Sequence, residues 1–173
     1  MFIPTATQDE FSQFEILSSE NDSLDAVVIG DLAEDWDFTR LNSAFRMLMN
    51  NPDAILLALG MTRYWRTSNG LQLDAGPFVR ALEYATGRKA IVTGKPAREF
   101  FSAATTMLGD EQPVYMIGDD IVSDIKAAQS SGLNTILVKT GKFRAADLHA
   151  DVMPDAILDS IDALPRWWRD NVS

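Results

Sequence analysis

The chain has 173 residues, 46% of them hydrophobic, no cysteine, and 25 acidic against 15 basic side chains for a formal charge of −10. Such a composition is ordinary for a globular protein. It excludes disulfides, thiolate zinc sites and cysteine nucleophiles, and no stretch approaches the roughly 20 apolar residues of a membrane span.

The charge is unevenly spread: ten acids precede Arg40, the first basic residue. An acid-rich start is unlike a mitochondrial transit peptide and lacks the basic region of a secretory signal, so a cytoplasmic protein is expected, with no membrane partner. No basic stripe offers counterion release, which argues against nucleic acid as a partner. The one histidine, His149, stands between Asp147 and Asp151 in a polar stretch and reads as a solvated loop residue. Any metal is therefore expected to be a hard cation held by carboxylates.

Residues 1–23 show weak periodicity and read as a loosely packed lead-in. Leu24–Gly30 is a β-branched run ending in glycine, a strand signal. Leu41, Ala44, Phe45, Leu48 and Met49 fall on one helical face. Asn51-Pro52-Asp53 breaks that helix, and Ala54–Leu59 predicts a second strand. Tyr64-Trp65 and Leu71–Leu73 flank Asn69-Gly70 as a hairpin. Pro77 opens a helix over Phe78–Ala85 that Gly87 closes.

A βα rhythm follows. Ala90–Thr93 is a strand, Gly94-Lys95-Pro96 a turn, and a helix runs to about Leu108, with Phe100, Phe101, Ala104 and Met107 expected in the core. Val114–Ile117 is the next strand, then an acidic loop and a helix over Ser123–Ser130 stopped by Gly132. Thr135–Val138 and Ala156–Leu158 are the last strands, and Asp159 or Ser160 caps a final helix whose Trp167 and Trp168 pack on the sheet. Alternating strands and helices predict a parallel sheet in an α/β fold.

The sharpest motif is Gly118-Asp119-Asp120, with Asp124 in the first turn of the next helix. In an open parallel sheet the carboxyl ends of the strands form the ligand crevice, so Asp119 stands where functional residues stand. Crowded carboxylates repel unless a cation relieves them, and Mg²⁺ takes one or two carboxylates plus waters and phosphate oxygens. Helix capping explains Asp124, both readings stay open for Asp120, and capping explains Asp119 poorly. Lys95 in Gly94-Lys95-Pro96 ends a strand and can neutralise a phosphate, although taken alone it is a surface lysine. It is not a phosphate P-loop, since Pro96 occupies the Ser/Thr position. Thr140-Gly141-Lys142 follows the Thr135–Val138 strand and carries little weight alone.

Taken together, Gly94-Lys95-Pro96, Gly118-Asp119-Asp120 with Asp124, and Thr140-Gly141-Lys142 resemble the haloacid dehalogenase (HAD) superfamily. More narrowly they resemble its capped subfamily IIA, the NagD-like and phospholysine/phosphohistidine inorganic pyrophosphate phosphatase-like branch. Asp74–Phe78, Ala81–Gly87 and Gly94–Phe101 are similar to that branch's cap-to-core segment. The resemblance runs from about Val27 to Leu164. It implies a HAD-type Rossmann-like parallel sheet, of which only the carboxyl-terminal half is expected here, with an α/β cap lobe. Residues 1–89 would be a partial cap lobe and 90–173 the core half. Lys95 would hold the phosphoryl group, Asp119 would be the Mg²⁺ ligand, Asp124 its supporting acid, and Asp120 a metal or loop support. The partner implied is a small phosphorylated metabolite, and caps of this branch often pair, which would make a homodimer.

That family's nucleophile lies in an amino-terminal D-x-D-G-T motif, which this sequence lacks. Asp35-Trp36-Asp37-Phe38-Thr39 has some of its letters, but no apolar run delivers Asp35 to a sheet edge. The expectation there is an acidic loop whose Asp37 or Thr39 caps the Leu41 helix. The chain is therefore expected to be an inactive, truncated portion of a Mg²⁺-dependent phosphatase working through an aspartyl-phosphate. The alternative is a non-catalytic pseudoenzyme or interaction module of the same fold. A receiver-type signalling domain also groups acids with a Lys-Pro pair, but there the acids precede the lysine.

Overall fold

A computed structural model describes residues 1–17, 19, 23–109, 113–149 and 151–172, the side chain of His149 excepted. Two compact units divide it, Met1–Gly94 and Lys95–Ser173.

The first unit is built on β1 (Ala26–Ile29), α1 (Phe38–Asn50), β2 (Ile55–Ala58), β3 (Tyr64–Thr67), β4 (Gly70–Leu73), α2 (Ala75–Thr86) and β5 (Ile91–Val92). Strands β1, β2 and β5 form a parallel sheet in that order, while β3 and β4 make the antiparallel hairpin expected from Asn69-Gly70. Side chains alternate across a strand, so Val27 and Ile29 share a face. With Leu56 and Ala58 they bury against Ala44, Met47 and Leu48 of α1 and Val79 and Leu82 of α2. Trp36 completes this core, stacked between Phe2 and Phe78 at centroid distances of 5.9 and 4.6 Å.

Asp37 is the N-cap of α1, its carboxylate accepting from the Arg40 N–H at 2.7 Å. Asp35 lies in the short 3₁₀ turn Ala33–Asp35. The Asp35–Thr39 segment is thus a capping loop. Helix α2 starts earlier than the Pro77 signal predicts, because Asp74 caps it by accepting from Ala75 at 2.6 Å. Arg88 closes the floor of the unit. Its guanidinium donates to the carbonyls of Leu48, Asn51 and Ala54, acceptors that the end of α1 and the following turn leave without helical partners.

Three expectations need correction. The segment before residue 23 is not wholly loose, for Phe2 bridges β1 through bonds to Val28 and Gly30, and Ile3 is buried. Strand β5 does not open the second unit. It pairs with β2 (Leu57 with Ile91, Ala58 with Val92), and Thr93 donates to Ala58, so the unit boundary falls at Gly94/Lys95 rather than at 89/90. Of the four residues assigned to a core face after Lys95, only Phe101 is buried; Phe100, Ala104 and Met107 are exposed.

The second unit comprises α3 (Arg98–Leu108), β6 (Tyr115–Gly118), a π-helical turn (Ile121–Lys126), α4 (Ala127–Ser130), β7 (Asn134–Val138), β8 (Ala156–Leu158) and α5 (Leu164–Asn171). The sheet is parallel in the order β6-β7-β8. Parallel sheets bury both faces, and here Ile136, Val138 and Leu158 pack towards Leu164 and Trp167 of α5. Leu137 meets Ile121 and Ile125 on the other face. Tyr115 joins Trp167 and Trp168 at 5.6 and 5.2 Å, so both indoles dock the last helix on the sheet. Ser160 caps a 3₁₀ turn that leads into α5.

Candidate functional site

The site lies within the second unit, at the carboxyl end of β6. The strand ends at Gly118, and Asp119 follows directly, at the edge where parallel sheets present their ligands. The next segment is expected to be an ordinary helix from Ser123. Instead, a π-helical turn begins at Ile121, because the Asp120 carbonyl accepts from both Asp124 and Ile125, at 3.0 and 3.2 Å. π turns are rare and concentrate at functional sites.

The π turn packs Asp124 against Gly118: a side chain at Gly118 would collide with the Asp124 carboxylate. Asp124 is only 5% exposed, and its Oδ1 accepts from the Lys95 ammonium at 2.8 Å. Its Oδ2 accepts from the Asp120 N–H at 3.2 Å.

Both oxygens of Asp120 are engaged by protein donors. Oδ1 accepts from the N–H groups of Val122 and Ser123 at 2.9 and 3.0 Å, and Oδ2 meets the Lys142 ammonium at 2.7 Å. Burial alone would raise this carboxyl's pKa, but the Lys142 ammonium and the bonds at Ser123 and Val122 outweigh it, and the group falls to about 2. Asp120 therefore acts as loop support in this geometry.

Lys142 contacts both acids of the pair, since its backbone N–H also donates to Asp119 Oδ2 at 2.6 Å. Gly141 makes that approach feasible. Its φ is +57°, and a Cβ there would fall on the Asp119 carboxylate. Lys142 is the participant that sequence reasoning undervalued. Its signal was the Thr140-Gly141-Lys142 triplet after a strand, which is a glycine turn until the fold brings it to Asp119.

Lys95, Asp119, Asp120 and Asp124 are thus brought together, and Lys142 joins them. The side chain of His149 lies outside the described residues. Among the described residues no three His, Asp or Glu side chains converge as a ready metal cage. Asp119 at the strand end and Asp124, whose oxygens also accept from Lys95 and the Asp120 N–H, are the two carboxylates that could hold a hard cation. That set suits Mg²⁺, which fills its remaining positions with water and phosphate oxygens.

Residues 92–164 match the HAD-hydrolase-like family model. The human phospholysine phosphohistidine inorganic pyrophosphate phosphatase is 42% identical over 159 residues, which are 88% of this chain and 58% of that protein. A 4-nitrophenylphosphatase from Thermotoga maritima superposes with a TM-score of 0.77 at 26% identity, covering 92% of this chain and 60% of the other. The glycerol phosphate phosphatase Rv1692 from Mycobacterium tuberculosis, solved in complex with magnesium, does so at 0.68 and 31% identity, covering 81% and 42%.

The parallel α/β architecture is of the HAD type. Residues 92–164 thus match the haloacid dehalogenase-like hydrolases, and over most of its length the chain is similar to proteins of that kind. It spans somewhat over half the length of the curated relatives it matches.

Proposed function

We propose that this chain carries the phosphate- and Mg²⁺-binding half of a HAD phosphatase that acts on a small phosphorylated metabolite. The observation that carries the reading is the network Lys95–Asp124–Asp120–Lys142–Asp119 at the end of one parallel strand. In this reading the second unit is the carboxyl-terminal half of the core. The first unit is the partial cap lobe, which also pairs two copies.

Each residue has a distinct task. Asp119 and Asp124 would hold the cation, which supplies charge stabilisation to a phosphoryl oxygen when bound. Lys95, 36% exposed while its partner is buried, keeps a solvated face that can bind a phosphate oxygen. Its charge also offsets the Asp124 carboxylate. Asp120 holds the loop in place through its cap and its ion pair.

Phosphoryl transfer needs an in-line nucleophile besides charge neutralisation and a metal. No D-x-D-G-T motif occurs in the sequence; in its nearest look-alike, Asp35-Trp36-Asp37, Asp35 lies in a 3₁₀ turn and Asp37 is occupied as a helix cap. The chain alone is accordingly expected to bind phosphate with Mg²⁺ and to leave p-nitrophenyl phosphate intact. Calorimetric titration with inorganic phosphate, with and without Mg²⁺, alongside a hydrolysis assay, tests both halves. Hydrolysis that disappears in Asp119→Asn would show that the chain supplies its own nucleophile. Phosphate binding indifferent to Mg²⁺ and to Lys95→Met would remove the proposed site.

The names of relatives bear on the substrate only as classes. Phospholysine, phosphohistidine, inorganic pyrophosphate and glycerol phosphate stand in those names, and this breadth supports a compact phosphorylated group as the feature recognised.

A further inference from the structure

Lys142 poses a question of charge. A cation within ion-pair distance of Asp120, directly beside a proposed metal ligand, should weaken the binding of a second cation by repulsion. Yet its side chain is 12% exposed and that of Asp120 13%. Burying such a pair costs desolvation that a surface lysine would avoid. The backbone shows what the burial accomplishes. The same residue that anchors its ammonium on Asp120 Oδ2 donates its N–H to Asp119 Oδ2. Gly141 alone, having no side chain, lets that loop close on the carboxylate.

We propose that Lys142 is a positioning residue for the metal-binding carboxylate. Its ammonium, tied to Asp120, holds the Gly141-Lys142 backbone against Asp119, which fixes the orientation of the Asp119 carboxylate for a hard divalent cation. The inference rests on the reading of Asp119 as a metal ligand, and it assigns cation affinity to a residue that is itself positively charged. Partners that orient metal ligands in this way are typically worth 10- to 100-fold in affinity.

Coulomb's law and positioning predict opposite signs for one substitution. Removing the positive charge with Lys142→Met, which nearly conserves volume, should tighten cation binding if only charge matters. If Lys142 positions Asp119, the same change weakens binding. Asp120→Asn weakens it under either account, but positioning adds that the two effects are not additive, because Lys142 acts through Asp120.

The test is titration of the full chain with Mn²⁺, a hard oxygen-seeking probe, read from the electron paramagnetic resonance signal of the free ion. Circular dichroism of the metal-free variants checks folding. The expected result is binding about tenfold weaker in Lys142→Met, retained within about threefold in Lys142→Arg, with the double variant no weaker than the worse single one. Binding equal to or tighter than the parent's in Lys142→Met overturns the proposal while leaving the metal site intact. Should Lys142→Met fail to fold, a tenfold loss in a folded Lys142→Arg overturns it, and retention supports it. A parent chain that binds no Mn²⁺, or binds it unchanged in Asp119→Asn, removes the metal reading and the proposal together.

Discussion

The Lys95 ammonium and Asp124 Oδ1 lie 2.8 Å apart, yet the two side chains are unequally exposed, 36% for the lysine and 5% for the aspartate. Loss of either partner therefore has unequal consequences. Lys95→Met leaves a buried carboxylate without its cation, at a cost of about 2 kcal/mol. Asp124→Asn still accepts from Asp120 and leaves a lysine that water can solvate, at a cost of about 1 kcal/mol. Urea unfolding of the metal-free variants should place Lys95→Met below Asp124→Asn.

Two glycines with positive φ separate strain from obstruction. Gly141 (+57°) faces the Asp119 carboxylate, whereas Gly132 (+82°) has nothing within 4 Å of its would-be Cβ. Alanine at either position should cost about 1 kcal/mol of backbone strain. Only Gly141→Ala must also displace Asp119. Its melting temperature should lose the Mg²⁺-dependent increase that Gly132→Ala keeps.

In the first unit, Arg88 is the single donor shared by the carbonyls of Leu48, Asn51 and Ala54. Arg88→Met removes a donor from all three part-buried carbonyls, although Asn51 keeps its bond from the Ala54 N–H, and should cost about 2 kcal/mol. Arg88→Lys, with a point charge in place of a planar fork, should fall between. Denaturant midpoints of the two variants order them.

Glu83 supplies a pH-dependent term. Burial would raise its carboxyl, but the Ala90 N–H and the Arg80 guanidinium outweigh that, and the pKa lies below its ordinary 4.5. A depressed carboxyl contributes stability above its unfolded value and loses it as the pH falls through the folded value. The stability gap between the parent and Glu83→Gln should thus be full at pH 7 and narrow below 4.5. Unfolding free energies from pH 7 to 3.5 measure it.

Much of this was legible from spacing. β-branched runs and glycine stops located the strands, and Ala156–Leu158 was found residue for residue. Asp37 was expected as one of two caps for the first helix and is its cap. The helix face after Lys95 failed because helical periodicity shows that a face is apolar without showing what covers it, and Phe100 and Met107 remain exposed. The π turn was illegible because it depends on the Asp120 carbonyl accepting two bonds, and no residue type announces that.

Residue order alone was enough to establish parallel α/β character, acids delivered by an apolar strand to its carboxyl end, and the lack of a D-x-D-G-T motif, since each is a property of neighbours in the chain. Folding in three dimensions was needed to assign Ile91-Val92 to the first unit's sheet, and to join Lys142 to Asp119 and Asp120 across more than twenty residues. Pairing between distant segments is chosen by packing and by which polar groups are buried together, and local periodicity carries neither.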